Sequence, residues 1–205
     1  MPSTFILASG SPRRRELLES LGIAFTIVKP DIDETQRADE RPLDYVRRLS
    51  VEKAHAVARQ VQAPAVVLAA DTIVILAADT IGVMDGDILG KPADADEARS
   101  MLRRLRGRPH VVVTALTLLT LNGSEPPAQI TRLTESHVHM RDYSDAEIEA
   151  YIATGDPFDK AGSYAIQHEG FHPVARVNGS TSNVVGLPLE TLRAMLDEAG
   201  IAPSP

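Results

Sequence analysis

Short apolar runs alternate with amphipathic segments along the chain. An apolar run at 4–8 precedes a helical pattern at 12–21, and apolar runs at 110–121 and 130–140 flank a turn-rich segment that is typical of a hairpin loop. Alternation of strands and helices predicts an α/β fold with a mixed, twisted sheet and flanking helices. The other predicted elements are strands or apolar runs at 24–28, 65–77, 81–89 and 173–178, and helices at 42–59, 94–107, 144–155 and 189–198.

The organisation of the chain indicates one domain. No stretch is rich enough in Gly, Pro or Ser to force a boundary, and 205 residues suffice for a sizeable core. An apolar content of 43% is typical of a globular protein. We therefore predict a single domain over residues 1–205.

Charge and composition exclude several classes of function. A net charge of −7 argues against bulk nucleic-acid binding, and the absence of cysteine excludes disulfides and thiolate metal sites. The apolar region at 61–84 is interrupted by Asp71 and Asp79, which argues against a membrane span. The N-terminal segment lacks the order of a signal peptide. The expectation is a cytoplasmic protein with a small anionic substrate.

The start of the first predicted helix carries an unusual charge. Ser11 suits the N-cap and Pro12 the first helical position, yet arginines occupy 13–15, where the helix dipole disfavours cations. Small residues, free N–H groups and guanidinium groups together form a phosphate-binding arrangement. The alternative is a basic, solvated helix start.

Two charged residues stand where apolar ones are expected. Asp71 interrupts an apolar run, and a carboxylate there needs a partner, a metal or a proton. Lys53 lies four residues from both Leu49 and Val57, on the apolar stripe of its helix. Asp71 therefore has the properties of a general base, and the alternative is an aspartate at the end of a strand. Lys53 either contacts an anion or extends into solvent from the edge of the apolar stripe.

Other polar features are weak signals when taken alone. The acidic loop 31–34 has the composition of a hard-cation site, and Lys91 follows a turn. A polar loop near 156–162 contains Asp159 and Lys160, and Gln167 has an amide that could read a base edge. Each of these is also compatible with a solvated surface.

Together, these segments resemble the Maf family of nucleoside triphosphate pyrophosphatases over nearly the whole chain. The ordered set of motifs is far more specific than any one of them. The landmarks are the segments at 8–14, 33–34, 52–54, 70–72, 89–92, 159–162 and 183–188.

The resemblance implies an α/β fold with two lobes around a cleft, related to inosine triphosphate pyrophosphatases, and a homodimer. It implies hydrolysis of a nucleoside triphosphate to the monophosphate and pyrophosphate with Mg²⁺ or Mn²⁺, and Asp71 as the residue that activates water. Carried over by position, it implies triphosphate contacts from Ser9, Arg13, Arg14, Lys53 and Lys91, further substrate contacts from Thr72, Asp159, Lys160 and Gln167, and metal ligation by Glu34 and Asp71.

The segment at 159–167 resembles the branch of the family that prefers dTTP and UTP, in which Arg13, Thr72 and Gln167 mark specificity. The alternatives are a pyrophosphatase for 7-methyl-GTP or another modified nucleotide, and a nucleotide-binding regulator of cell division without turnover. After Gln167 the family usually has a glycine, where this chain has His168.

A tandem repeat creates two candidates for the catalytic base. The Ala-Ala-Asp-Thr-Ile motif around Asp71 recurs eight residues later around Asp79. The first copy continues as an apolar run, whereas the second contains Gly82, which weakens a strand and suits a turn. We therefore predict that Asp71 is the base, that the insertion lengthens a hairpin, and that Asp79 lies near an exposed turn.

Overall fold

A computed structural model describes residues 4–76, 87–123 and 126–201 of the chain. The strands are β1 (Thr4–Ala8), β2 (Thr26–Ile27), β3 (Ala65–Leu76), β4 (Asp87–Leu89), β5 (Pro109–Leu121), β6 (Ala128–Met140) and β7 (Val174–Asn178). The helices are α1 (Pro12–Glu19), α2 (Pro42–Ala58), α3 (Ala95–Leu105), α4 (Asp145–Ala153), α5 (Thr181–Val185) and α6 (Leu189–Glu198), with 3₁₀ turns at Asp156–Asp159 and Ala161–Ser163.

Within the described residues the strands form one mixed sheet of seven strands. The order is β2-β1-β3-β5-β6-β7, and β4 pairs with β3 outside this path. Strand β1 is parallel to β2 and β3, whereas β4 is antiparallel to β3 and β7 is antiparallel to β6. The predicted mixed sheet with flanking helices is confirmed.

The chain divides into two compact units. The first comprises Met1–Asp71, Thr114–Thr134 and Gly186–Pro205, and the second comprises Thr72–Val113 and Glu135–Val185. Strands β3, β5 and β6 each contribute backbone to both units.

Each unit has its own apolar core. In the first unit, Phe5 and Leu7 of β1 pack with residues of α1 and α6, whereas Ile6 and Ala8 pack with residues of α2. This division follows from the two-residue period of a strand, which sends neighbouring side chains to opposite faces. The core of the second unit is formed by apolar residues of α3 and α4 and of the adjoining strand segments.

Polar caps fix the beginnings of several helices. The Ser11 hydroxyl accepts from the Arg14 N–H at the start of α1, as the sequence predicts. Asp94 accepts from the Glu97 N–H at the start of α3, and Ser144 and Glu147 form a capping box at the start of α4.

Some short elements were not predicted, and one predicted feature lies outside the described residues. Helix α5 and the two 3₁₀ turns were not predicted, because each is too short to show a hydrophobic period. Asp79 and the second copy of the repeat lie outside the described residues. No helix in the described part of the chain is long and apolar enough to cross a bilayer.

Candidate active site

The first unit contains a buried ion pair between α2 and β3. Residues 65, 67 and 69 of β3 face α2, and the strand period places Asp71 on that same face. The Lys53 ammonium of α2 lies 2.6 Å from Asp71 Oδ1, and the two residues are only 6% and 7% exposed. Asp71 therefore lies inside a strand rather than at its end, and Lys53 points inward to an anion.

Glu34 completes this cluster from the loop before α2. Its Oε1 lies 3.0 Å from the same Lys53 ammonium, and its side chain is about half exposed. Two carboxylates from separate segments thus converge on one cation. We name Glu34, Lys53 and Asp71 the carboxylate–lysine cluster.

Burial gives Asp71 the electrostatics of a base. Loss of solvation raises the pKa of its carboxyl group, and the charges of Lys53 and Arg14 oppose that rise without cancelling it. A carboxylate with a raised pKa accepts a proton more readily than an ordinary surface aspartate.

The arginines at the start of α1 have different surroundings. Arg15 is exposed and forms an ion pair at 2.8 Å with Glu19, one turn later. Arg14 instead points inward, where its Nε donates to the Gly186 carbonyl at 2.9 Å and its Nη1 lies 3.4 Å from the buried Ser9 hydroxyl. Burial lowers the pKa of Arg14, and the charge of Asp71 opposes this shift.

The three arginines differ in their exposure to solvent. Arg13 is half-buried, like Arg14, whereas Arg15 belongs to the solvated face of α1. The solvated alternative therefore holds for Arg15 and not for Arg14. The structure also gives the 183–188 motif a contact, because the carbonyl of Gly186 accepts from Arg14, and the φ of +117° at Gly186 favours glycine.

Residues that sequence reasoning missed hold the loop of Glu34. The Tyr45 hydroxyl donates to the Glu34 carbonyl at 2.9 Å, and Arg48 Nη2 donates to the Thr35 carbonyl at 3.1 Å. Arg48 also donates to both carboxylate oxygens of Glu40, at 2.6 and 2.8 Å. This bidentate ion pair links Glu40, at the end of the loop that bears Glu34, to Arg48 of α2.

The Arg48–Glu40 pair predicts a specific pH dependence of stability. The hydrogen bonds from Arg48 lower the pKa of Glu40 to about 2, from an ordinary value of 4.5. Since the folded-state pKa is depressed, the pair stabilises the fold above pH 4.5, and this contribution disappears as the pH falls towards 2. Glu40→Gln should therefore reduce the free energy of unfolding by about 1–3 kcal/mol at pH 7.

Urea denaturation of wild type and Glu40→Gln at a series of pH values checks this prediction. The difference between the two proteins should shrink below pH 4.5 and vanish near pH 2. A difference that stays constant over this range would contradict the assignment.

The carboxylate–lysine cluster also fits a divalent metal. Mg²⁺ is commonly held by one or two carboxylates together with phosphate oxygens of a substrate. Glu34 and Asp71 supply two such carboxylates, and each lies within 3.0 Å of the Lys53 ammonium. Among the described residues, no group of three or more acidic or histidine side chains is arranged to hold a metal ion by itself.

The second unit holds the remaining predicted site residues. Thr72 is half-buried in β3, whereas Lys91 and Gln167 are exposed. Gly162 adopts a left-handed φ of +71°, and its N–H donates to the Gly90 carbonyl at 3.0 Å, beside Lys91. This bond fixes the polar loop next to the segment that bears Lys91.

Lys160 is buried in the polar loop and forms ion pairs within it. Its ammonium lies 2.7 Å from the Asp156 carboxylate and 2.6 Å from Asp159 Oδ1, and the residue is only 7% exposed. These contacts hold the 156–160 turn together. The predicted substrate contacts of Lys160 and Asp159 stay predictions, and the structure gives the two residues a mutual ion pair.

Comparison with known proteins identifies the family. The family model described as "Maf-like protein" matches residues 4–199. The chain belongs to the Maf family. The resemblance drawn from the sequence motifs is therefore confirmed.

Named relatives match nearly the whole chain. A dTTP/UTP pyrophosphatase of Myxococcus xanthus is 48% identical over 196 residues, which cover 96% of this chain and 92% of the relative. A dTTP/UTP pyrophosphatase of Hahella chejuensis is 46% identical with the same coverage.

A solved structure shows the same fold at low sequence identity. The HAM1 protein of Coxiella burnetii superposes with a TM-score of 0.52 at 16% identity, covering 96% of this Maf chain and all of that one. At this identity the likeness concerns the fold alone. It agrees with the fold class predicted from the sequence.

Proposed function

We propose that this Maf protein hydrolyses dTTP and UTP to the monophosphate and pyrophosphate. The observation that carries the proposal is the buried pair of Asp71 and Lys53, joined by Glu34. Such a cluster costs desolvation energy, and a nucleotide pyrophosphatase needs both of its charges. Relatives with 46–48% identity carry the name dTTP/UTP pyrophosphatase, which supports the same substrates.

Cations of the chain would hold the triphosphate. Arg13 and Arg14 present guanidinium groups at the start of α1, where the Ser9 hydroxyl also lies. We assign further triphosphate contacts to Lys53 and Lys91. Phosphoryl transfer depends on neutralisation of charge and on alignment, so these contacts lower the barrier without covalent chemistry.

Asp71 would act as the general base. Its carboxylate accepts a proton from a water molecule, whose oxygen then forms the new bond to phosphorus. The bond between that phosphorus and the bridging α–β oxygen breaks, and pyrophosphate and the monophosphate are released. The raised pKa of Asp71 suits it to the first of these events.

Glu34 and Asp71 would hold Mg²⁺ or Mn²⁺. The metal, when bound, supplies positive charge that neutralises the phosphate oxygens. Tyr45 and Arg48 keep the Glu34 backbone in place through their bonds to the loop. The positive charge of Lys53 offsets part of the negative charge of the two carboxylates.

The remaining proposed contacts concern recognition of the base. We propose that Gln167 and Thr72 contact the pyrimidine, that Arg13 contributes to specificity, and that Asp159 and Lys160 support substrate binding from the polar loop. We further propose that the chain acts as a single domain in the cytoplasm and forms a homodimer. The family match over residues 4–199 supports the single domain.

A nucleotide panel tests the proposal. Release of pyrophosphate should be fastest with dTTP and UTP and much slower with dATP, dGTP and 7-methyl-GTP. Preference for 7-methyl-GTP would assign the chain to the other branch. Binding without turnover of any nucleotide would favour a regulator.

Arg13 and Arg15 provide a matched pair for the triphosphate contacts. Arg13→Ala should lose about 1.5–3 kcal/mol of transition-state stabilisation, or roughly 10- to 150-fold in kcat/KM for dTTP, since it removes a charge-assisted contact. Arg15→Ala, which removes only the exposed pair with Glu19, should remain near wild type. Equal kinetics of the two variants would show that Arg13 is also a surface charge.

A further inference from the structure

His168 stands next to the proposed base-reading residue and makes an unusual pair of contacts. Its Nδ1 accepts from the backbone N–H of Gly170 at 3.2 Å and from that of Phe171 at 3.0 Å. An imidazole nitrogen accepts only when it carries no proton, so these bonds require the tautomer with hydrogen on Nε2. The side chain thereby closes a turn over residues 168–171.

Tyr151 of α4 anchors both ends of this segment. Its hydroxyl accepts from the Ala165 N–H at 3.0 Å and donates to Asp156 Oδ2 at 2.6 Å. Its ring stacks on Phe171 with centroids 4.5 Å apart and meets the His168 ring edge-on at 4.7 Å. Gln167 lies between these anchors and is itself exposed.

Arg141 fixes the segment after the turn. Its Nη2 donates to the Phe171 carbonyl at 2.7 Å and its Nε donates to the His172 carbonyl at 3.1 Å. His172 has a left-handed φ of +42°, which a non-glycine residue adopts only when its surroundings hold it there. The backbone on both sides of Gln167 is therefore held by side chains of the same unit.

We propose that His168 is a positioning residue that presents Gln167 to the pyrimidine base. This inference rests on the proposed function. Thymine and uracil offer one N–H donor beside carbonyl acceptors, and the amide of glutamine has the complementary acceptor and donor. A fixed backbone reduces the ordering cost of that contact, so the His168 turn contributes to affinity for the base.

A comparison of His168→Ala and His168→Asn tests the turn. Alanine removes the acceptor, and the KM for dTTP and UTP should rise about tenfold, the loss of one to two net hydrogen bonds, with kcat nearly unchanged. Asparagine should restore most of the affinity, because its side-chain oxygen accepts from the N–H two residues later. Glu169→Ala, at an exposed neighbouring position, serves as the control and should leave KM unchanged.

A double-mutant cycle connects His168 to Gln167. In a Gln167→Ala background, His168→Ala should add little further loss, because the residue that it positions is gone. His168→Ala should also reduce the preference for dTTP over dATP, and Gln167→Ala should have the same effect. Thermal unfolding of each variant separates these effects from loss of fold, and the asparagine variant remains informative if the alanine variant is unstable.

The outcomes distinguish this inference from the proposed function. If the wild type hydrolyses neither dTTP nor UTP, the proposed function is wrong. If the wild type hydrolyses both, but His168→Ala keeps the wild-type KM and preference, the positioning role is wrong. Independent, additive losses from His168→Ala and Gln167→Ala would overturn it as well.

Discussion

Asp71→Asn should lower kcat for dTTP by about 10²–10⁴-fold, the usual contribution of a general base. Asparagine has nearly the shape of aspartate and its oxygen can still accept from Lys53, so the fold should survive while the proton acceptor is lost. Steady-state kinetics at saturating substrate, with unfolding measured in parallel, checks both parts.

Asp79→Asn is the matched control, because the tandem repeat gives it the same local sequence. We expect this variant to retain near wild-type kcat. The contact of Asp71 with Lys53 in the buried cluster supports that choice. Loss of turnover in Asp79→Asn with retention in Asp71→Asn would show that the second copy of the repeat holds the base.

Lys53→Met should have the second large effect, on stability as well as binding. Removal of one partner leaves Asp71 buried without its closest cation, which typically costs about 3–5 kcal/mol of unfolding free energy. If Lys53 served only as a substrate contact, its loss would weaken substrate binding far more than folding. The burial of both partners changes that expectation, since an unpaired buried carboxylate is costly in itself.

The double variant Lys53→Met/Asp71→Asn checks the electrostatic origin of this cost. Since it removes both charges, it should recover much of the stability that Lys53→Met loses. Urea denaturation of the two single variants and the double variant gives the coupling. Additive losses would mean that Lys53 stabilises the fold through its hydrocarbon stem rather than through its charge.

Lys53 and Asp71 of the carboxylate–lysine cluster could be predicted from the sequence, because each is a charged residue within the apolar pattern of its own helix or strand. Lys53 breaks a helical stripe and Asp71 breaks an apolar run, so each needs a partner by the cost of burial alone. Strand and helix periods then place the two residues on facing surfaces of α2 and β3. For the same reason, most helices and strands of the fold follow from the apolar pattern and the capping residues.

The supporting contacts could not be predicted in this way. Arg48 and Tyr45 reach the Glu34 loop, and Gly186 offers its carbonyl to Arg14 across the length of the chain. These hydrogen bonds join residues that only the tertiary structure brings together, so no periodic pattern in the sequence predicts them. Arg48 resembles an ordinary surface arginine of a helix, although only 12% of its side chain is exposed.

Identification of the products of dTTP hydrolysis tests the central claim most directly. We would incubate the full chain with dTTP and Mg²⁺, with and without excess chelator, and follow the phosphorus species by ³¹P NMR. The account predicts dTMP and pyrophosphate in equal amounts, and loss of the reaction with chelator. Release of orthophosphate with dTDP, or undiminished activity in excess chelator, would contradict it.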